Sequence, residues 1–364
     1  MDDLVADDLV VDDLVVDDLV VDEPIKDIED LVNVEDISYS RFGKQPNLKT
    51  LINVSESDKI KSIKNSVLGL SCSRRTDIPW GYLDQYMKLL NDGFMYVPNP
   101  VSGKLNPVYL KPYDFKTKKG IIFISWWSKN YSKWIKAYQN NSDFFDQWSV
   151  HLFNFTVNSE NEDLEPNTIP LNDRLDQIKW ICDMFGPYSL NIRFDPIVIY
   201  KKKDGKIYNN LSDFEKIIEF IANIGIKHIV FSFCLYNGNV SKNMIKNGLT
   251  PINISILEQK KIVDQLLLTS FKYGVKLKAC CMTPLVGYGK DQWKVESSKC
   301  IDGAIVQMIL DKKSIPIKLK QQKDKGQRVE CNCISTRDIG YYQSCPHGCR
   351  YCYANPSLLN VKKN

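Results

Sequence analysis

Three thiols fall within eight residues in Cys345-Pro-His-Gly-Cys349-Arg-Tyr-Cys352. Thiolates this close can face one metal centre and leave it one protein ligand short. A catalytic centre needs that open position, whereas a structural site is normally closed by four protein ligands. Zinc with His347 as fourth ligand is the competing reading of the same loop. A second set comprises Cys331, Cys333, Cys300 and one of Cys280 or Cys281, enough for an auxiliary 4Fe–4S cluster or a zinc site. The bland alternative is that Cys280 or Cys281 is a small buried hydrophobe. Cys72, Cys182 and Cys234 sit in apolar patterns and read as packing. Eleven cysteines, five of them between residues 331 and 352, fit metal binding in a cytosolic chain better than a disulfide scaffold.

The elements that must position these side chains follow a strand–loop–helix pattern from Val67 onward. Strands are expected at 67–71, 94–97, 121–125, 150–156, 190–194, 228–233 and 275–279. Helices are expected at 80–91, 129–138, 171–185, 212–224 and 254–273. Short β-branched runs alternating with amphipathic segments imply an α/β fold with a parallel sheet. About seven units predict a TIM-like (β/α) barrel, complete or partial, over residues 67–310. Residues 311–364 are then a cysteine-rich segment packing on the barrel mouth. A doubly wound open sheet is the alternative, and the lack of a glycine-rich phosphate loop after any strand argues against it.

The expected strand ends are polar or aromatic: Ser73-Arg74-Arg75-Thr76-Asp77, Pro98-Asn99-Pro100, Trp126-Trp127-Ser128-Lys129-Asn130, Arg193-Phe194-Asp195-Pro196 and Cys280-Cys281. Side chains from several strands converge at that face of α/β barrels. Arg74, Arg75, Lys129 and Arg193 are candidates to hold a carboxylate or another anion. Asp77 and Asp195 are candidates to orient those arginines or to bind ribose hydroxyls. Each cluster also has an ordinary reading: Arg193 and Asp195 can pair, and Asp77 with Pro79 reads as a helix entry. His151 and His228 lie in apolar strands and read as core or rim histidines.

Residues 2–21 repeat a five-residue DDLVV-type unit whose period matches neither helix nor strand. Residues 1–36 carry fifteen acidic side chains against one lysine and read as a disordered acidic tail. Residues 37–66 read as an irregular linker arm. The rest of the chain is strongly basic, which admits a nucleic-acid partner or reflects a Lys- and Asn-rich coding bias. The longest apolar run, near residues 121–127, is too short to span a bilayer. With no basic start or apolar signal core, a cytoplasmic location without membrane contact is expected.

Several motifs in one order carry a resemblance: Ser71-Cys-Ser-Arg-Arg-Thr-Asp-Ile-Pro79, Arg193-Phe-Asp-Pro196, Cys300-Ile-Asp302, Lys323-Asp-Lys-Gly-Gln-Arg328, Cys331-Asn-Cys333, Asp338-Ile-Gly-x-Tyr342 and Cys345-Pro-His-Gly-Cys-x-Tyr-Cys-Tyr-Ala354. The chain resembles a mostly bacterial family of proteins of unknown function whose C-terminal cysteine cluster is like that of radical S-adenosylmethionine (radical-SAM) enzymes. The likeness runs from about Val67 to Asn355. It implies a 4Fe–4S cluster on Cys345, Cys349 and Cys352, with S-adenosyl-L-methionine on the fourth iron as the source of a 5′-deoxyadenosyl radical. Gly348 would let the loop wrap the cluster, and Tyr351 would sit near the adenine. A flavodoxin- or ferredoxin-like electron donor is implied, while substrate and oligomeric state are not. Cys280 aligns with a late strand-end cysteine of the family, although Met282 replaces an acidic residue common there. Two alternatives stand: a non-enzymatic zinc or iron–sulfur module, and an iron–sulfur nucleic-acid-binding protein of repair type. Only residues 353–364 follow the loop, so its pocket is expected to come from upstream strands.

Overall fold

The computed structural model describes residues 51–99, 102–342 and 345–354. The acidic repeat, the first part of the arm and Pro100 lie outside the described residues. The arm's remainder is not irregular: it forms α1 (Glu56–Lys64), where the Ser55 hydroxyl accepts a hydrogen bond from the Asp58 N–H and Glu56 and Asp58 meet the helix dipole.

β1 (Gly69–Cys72) leads through α2 (Ile78–Gly81) and α3 (Leu83–Asp92) into an antiparallel ribbon of β2 (Phe94–Pro98) and β3 (Leu105–Tyr109). This corrects the expected parallel strand at 94–97. Pro98 and Pro107 each lack an N–H, which suits a two-stranded ribbon better than a central strand paired on both sides. Asn99 closes the ribbon's turn by donating to the Lys104 carbonyl at 2.8 Å, away from the main sheet's strand ends.

The chain then continues β4 (Phe123–Ser128), α4 (Ser132–Asn140), α5 (Ser142–Phe145), β5 (Val150–Thr156), α6 (Leu171–Phe185) and β6 (Leu190–Ile197). Next come the short β7 (Ile199–Lys201) and β8 (Ile207–Asn209), α7 (Phe214–Asn223), β9 (His228–Phe233), α8 (Gly238–Lys246), β10 (Thr250–Pro251) and α9 (Ile256–Tyr273). β11 (Lys276–Ala279), β12 (Glu296–Ser297), α10 (Gly303–Lys312) and β13 (Arg337–Asp338) complete the set. Helix ends follow local chemistry: α9 starts with a Ser255–Glu258 capping box and stops at Gly274, whose φ is 68°.

Eight of these strands form one parallel sheet in the order β12-β11-β9-β6-β5-β4-β1-β13. The order follows the chain in one direction without the reversal of a doubly wound sheet, and the last strand lies beside the first. No strand pairing joins β12 to β13 among the described residues. The segment beyond residue 310 thus supplies an edge strand, and a boundary at 310/311 would cut α10.

Alternation along the strands sorts side chains to two faces. Leu70, Ile124, Trp126, Phe153, Phe155, Ile192, Phe194, Ile229 and Phe231 join the helices in the larger apolar core. Phe123, Val150, Leu152 and Val230 lie on the other face, covered by Ile301, Val306 and Leu310 at α10. Further along the strands this second face turns polar, with Asn154 donating to Ser125 at 2.9 Å and accepting from Asn191 at 2.8 Å. His151, on the core face, is a core histidine as expected. Its Nδ1 accepts from the Trp126 indole at 3.0 Å, and burial lowers its pKa to about 4. No helix among the described residues is long and apolar enough to cross a membrane.

Gly69 is required by this packing, because a Cβ there would stand 2.1 Å from the Phe123 ring. Overpacking of this kind costs about 1–3 kcal/mol. Gly69→Ala is expected to lower the thermal midpoint by several degrees, measured by circular dichroism.

Candidate functional site

The turn after β1 is fixed by one buried carboxylate from β13. Asp338 accepts from the Ser71 hydroxyl at 2.9 Å, the Ser73 hydroxyl at 2.7 Å, the Arg74 N–H at 2.8 Å and the Gly340 N–H at 3.1 Å. Arg75 lies 3.8 Å from the same carboxylate and stacks over Tyr342. Asp338 stood in a sequence motif, but its clamping role was not legible there.

The cysteine loop docks on this turn. Asp77 caps α2, accepting from the Trp80 N–H at 3.0 Å, as its sequence position predicts. Its carboxylate also accepts from the Ser128 hydroxyl at 2.8 Å and the Lys129 N–H at 3.0 Å, and it meets His347 Nε2 at 2.6 Å. His347 is 2% exposed, and its Nδ1 is buried without a hydrogen-bond partner. The sulfur of Cys345 accepts from the backbone N–H groups of Asp77 and His347, so the loop's first thiol rests on the start of α2. Gly348 has φ 64°, and the Cys352 N–H donates to the Cys349 carbonyl at 3.0 Å, which closes a tight turn over residues 349–352. Burial is the main cause raising the pKa of both Cys345 and Cys349, and charge on Cys352 adds to it in each case.

Beyond β4 and β5, Lys129 donates to Glu165 at 2.9 Å, and the Tyr351 hydroxyl donates to the same oxygen. Asn158 donates to Glu165 at 2.7 Å and to the Tyr351 hydroxyl at 3.0 Å, while its own Oδ1 accepts from the Asp195 N–H at 3.1 Å. Burial by itself would raise the Glu165 pKa. The Lys129 ammonium, the Tyr351 hydroxyl and Arg174 outweigh it and hold the carboxyl at about 2. The Tyr351 hydroxyl is therefore engaged within the protein. Cys349 and Tyr351 pack with Leu164, Val198 and Tyr200, and Cys234 and Cys352 adjoin that cluster. Cys234 feels the charge of Cys352, so it borders the loop instead of merely filling the core.

The second set of cysteines also comes together. Cys280 and Cys300 are 3.8 Å apart, sulfur to sulfur, and the Ile301 N–H donates to Cys333 at 3.4 Å. Thiol contacts link Cys300 to Cys333, Cys333 to Cys331, Cys331 to Cys281 and Cys281 to Cys280. Cys280 and Cys281 thus both belong to this ring of five thiols. Strand alternation would send Cys281 away from its neighbour, and its left-handed backbone, φ 53°, turns it back.

Two guanidinium groups face this ring. Arg193 donates to Cys300 and pairs with Asp195, whose other oxygen accepts from Ser232. Arg74 lies 3.7 Å from Asp324 and 3.4 Å from the Thr336 hydroxyl, and its Nη2 is buried without a partner. The guanidinium carbons of Arg74 and Arg193 each stand 5.2 Å from the Trp127 ring. Burial opposes the charge on Arg193, but Cys300 and Cys280 outweigh it and raise its pKa. The four expected anion binders thus each have a carboxylate neighbour: Asp324, Asp338, Glu165 and Asp195 for Arg74, Arg75, Lys129 and Arg193. Among the described residues, no three His, Cys, Asp or Glu side chains already surround a point where an ion would sit.

The family model described as a domain of unknown function, DUF1848, matches residues 70–354. The chain belongs to the DUF1848 family. No curated protein and no solved structure matches it. The matched span begins at β1 and ends just beyond Cys352, so both thiol groups of this DUF1848 chain lie inside it, while the acidic repeat does not.

Glu165 has a folded pKa of about 2 against an ordinary 4.5. Its contribution to stability, on the order of 3 kcal/mol, is complete above pH ~4.5 and is lost as pH falls toward ~2. Glu165→Gln is expected to flatten that part of the acid-unfolding curve and to lower stability at pH 7 by about 3–5 kcal/mol, because Lys129 is left buried without its counter-charge. Chemical denaturation across this pH range measures both effects. Asp77→Ala removes a helix cap and the anchor of His347, and is expected to speed alkylation of Cys345 severalfold, read by mass spectrometry of the modified peptide.

Proposed function

We propose that this chain is an iron–sulfur enzyme of the radical-SAM type, with a 4Fe–4S cluster on Cys345, Cys349 and Cys352. The observation that carries the reading is the docking of this three-thiol loop over the polar carboxyl ends of parallel strands. The donor set fits a cluster: one buried and two half-buried cysteines in one glycine-turned loop, one of them already accepting two backbone N–H groups. Held by Cys345, Cys349 and Cys352, a reduced 4Fe–4S cluster would supply one electron for reductive cleavage of a carbon–sulfur bond of S-adenosyl-L-methionine.

The chain's own residues hold and shield that place. Asp77 and His347 tie the loop to the start of α2 and the end of β4. Glu165, Asn158 and Tyr351 fix its other end to β5. Arg350 adds bonds to the Leu164 and Asp163 carbonyls at 2.9 and 2.7 Å. Trp127, between Arg74 and Arg193, forms a floor on the polar face of the sheet.

A TIM-like barrel is the architecture that best accommodates this face. The one-directional strand order supports it. So does a hydrogen bond of 3.1 Å from the Ile334 N–H to the Ile301 carbonyl, which links the chain just after β12 to the chain just before β13.

Anaerobic reconstitution with iron and sulfide tests the proposal. A reducible 4Fe–4S electron paramagnetic resonance signal that changes on adding S-adenosyl-L-methionine, with release of 5′-deoxyadenosine, is expected, and it should vanish in Cys349→Ala. Zinc in place of iron at this loop would instead make it a non-enzymatic module. A cluster indifferent to S-adenosyl-L-methionine in a protein with salt-dependent nucleic-acid affinity would point to the repair-type alternative.

A further inference from the structure

The five-thiol ring is separate from the cysteine loop and belongs to no step proposed above. Its members come from three places. Cys280 and Cys281 follow β11, Cys300 follows β12, and Cys331 and Cys333 precede β13. These are the two edges of the sheet, between which the described residues contain no strand pairing. Cys300 and Cys333 are 6% and 3% exposed, so water satisfies little of their sulfur.

We infer a second metal site here: a single zinc ion held by the thiolates of Cys280, Cys300, Cys331 and Cys333, stapling the two sheet edges together. The Cys280–Cys300 contact favours one ion over a cubane. Zinc–sulfur bonds of about 2.3 Å in a tetrahedron place the sulfurs about 3.8 Å apart. The Cys280–Cys300 separation is 3.8 Å. Sulfurs bound to different irons of a 4Fe–4S cluster stand much farther apart. Four sulfurs in this ring form an unbroken series of neighbours, from Cys280 through Cys300 and Cys333 to Cys331. Cys281 is the fifth thiol, brought alongside by its left-handed backbone, and it is not a ligand in this assignment.

Charge and hydrogen bonding agree. Four thiolates on a divalent ion leave a net charge of about −2, and a buried anion of that size needs compensation. Arg193 donates to Cys300. Arg74 lies within electrostatic reach of Cys333 and Cys300, and its Nη2 is the buried donor with no partner. Guanidinium donors to ligating sulfurs are the outer-shell contacts that orient and stabilise a thiolate site. Binding is redox-neutral, and each thiol still protonated releases its proton to solvent.

The experiment is metal analysis of the full-length protein beside a variant lacking the other site, Cys345→Ala/Cys349→Ala/Cys352→Ala. One zinc per chain is expected in both, so this site can stand or fall independently of the iron–sulfur proposal. Cys300→Ala and Cys333→Ala should each lower zinc occupancy more than tenfold, and Cys281→Ala should retain it. Where the buried-cysteine variants do not fold, cobalt(II) replaces zinc in the triple variant. An intense sulfur-to-cobalt charge-transfer band with the pattern of a tetrahedral four-sulfur site is then required. Absence of metal, iron with acid-labile sulfide in the triple variant, a cobalt spectrum without that band, or zinc loss in Cys281→Ala would each overturn the assignment.

Discussion

A single carboxylate, that of Asp77, joins the ends of β1 and β4 to the cysteine loop. It caps a four-residue helix, orders the turn at Ser128 and Lys129, and receives the ring of His347. These partners meet in the 5%-exposed surroundings of one side chain, where an unmet charge costs several kcal/mol. The loop's position is therefore inherited from the turn between β1 and α2 and from the end of β4. A segment that follows the sheet in sequence is returned to its first strand, and the neighbouring turn is held the same way by Asp338.

The two thiol groups share one polar layer. From Glu165 and Tyr351 the hydrogen bonds run through Asn158 to Asp195, and from the Asp195–Arg193 pair to Cys300. The two groups are thus joined by an unbroken series of mostly buried polar contacts. Trp127 adds a rigid aromatic surface between the two arginines, where cation–π attraction is strengthened by exclusion of water.

Much of the fold was legible because burial on both faces imposes strong patterns. The segments 150–156, 171–185 and 228–233 form elements with those same ends. The strand expected at 94–97 exists, but an apolar run does not reveal its pairing partner, and Pro98 and Pro107 both suit the two-stranded ribbon it forms. The cysteines and the strand-end charges were legible as types and spacings. Glu165 and Asn158 were not, since they lie in a stretch crowded with acidic and amide residues, and nothing local marks which of them turns inward. The inward turn of Cys281 was equally hidden, because it depends on a positive φ that strand periodicity does not foresee.

The placement of β13 beside β1 has a consequence for biosynthesis. Ser71 and its partner Asp338 are separated by 267 positions. At translation rates of roughly 5–20 residues per second, the first strand spends about 13–53 s with one backbone edge unpaired and its serines lacking their acceptor. The growing polypeptide therefore has a prolonged window in which that edge is open to the wrong neighbour, and holdase chaperones would be drawn to the nascent N-terminal half.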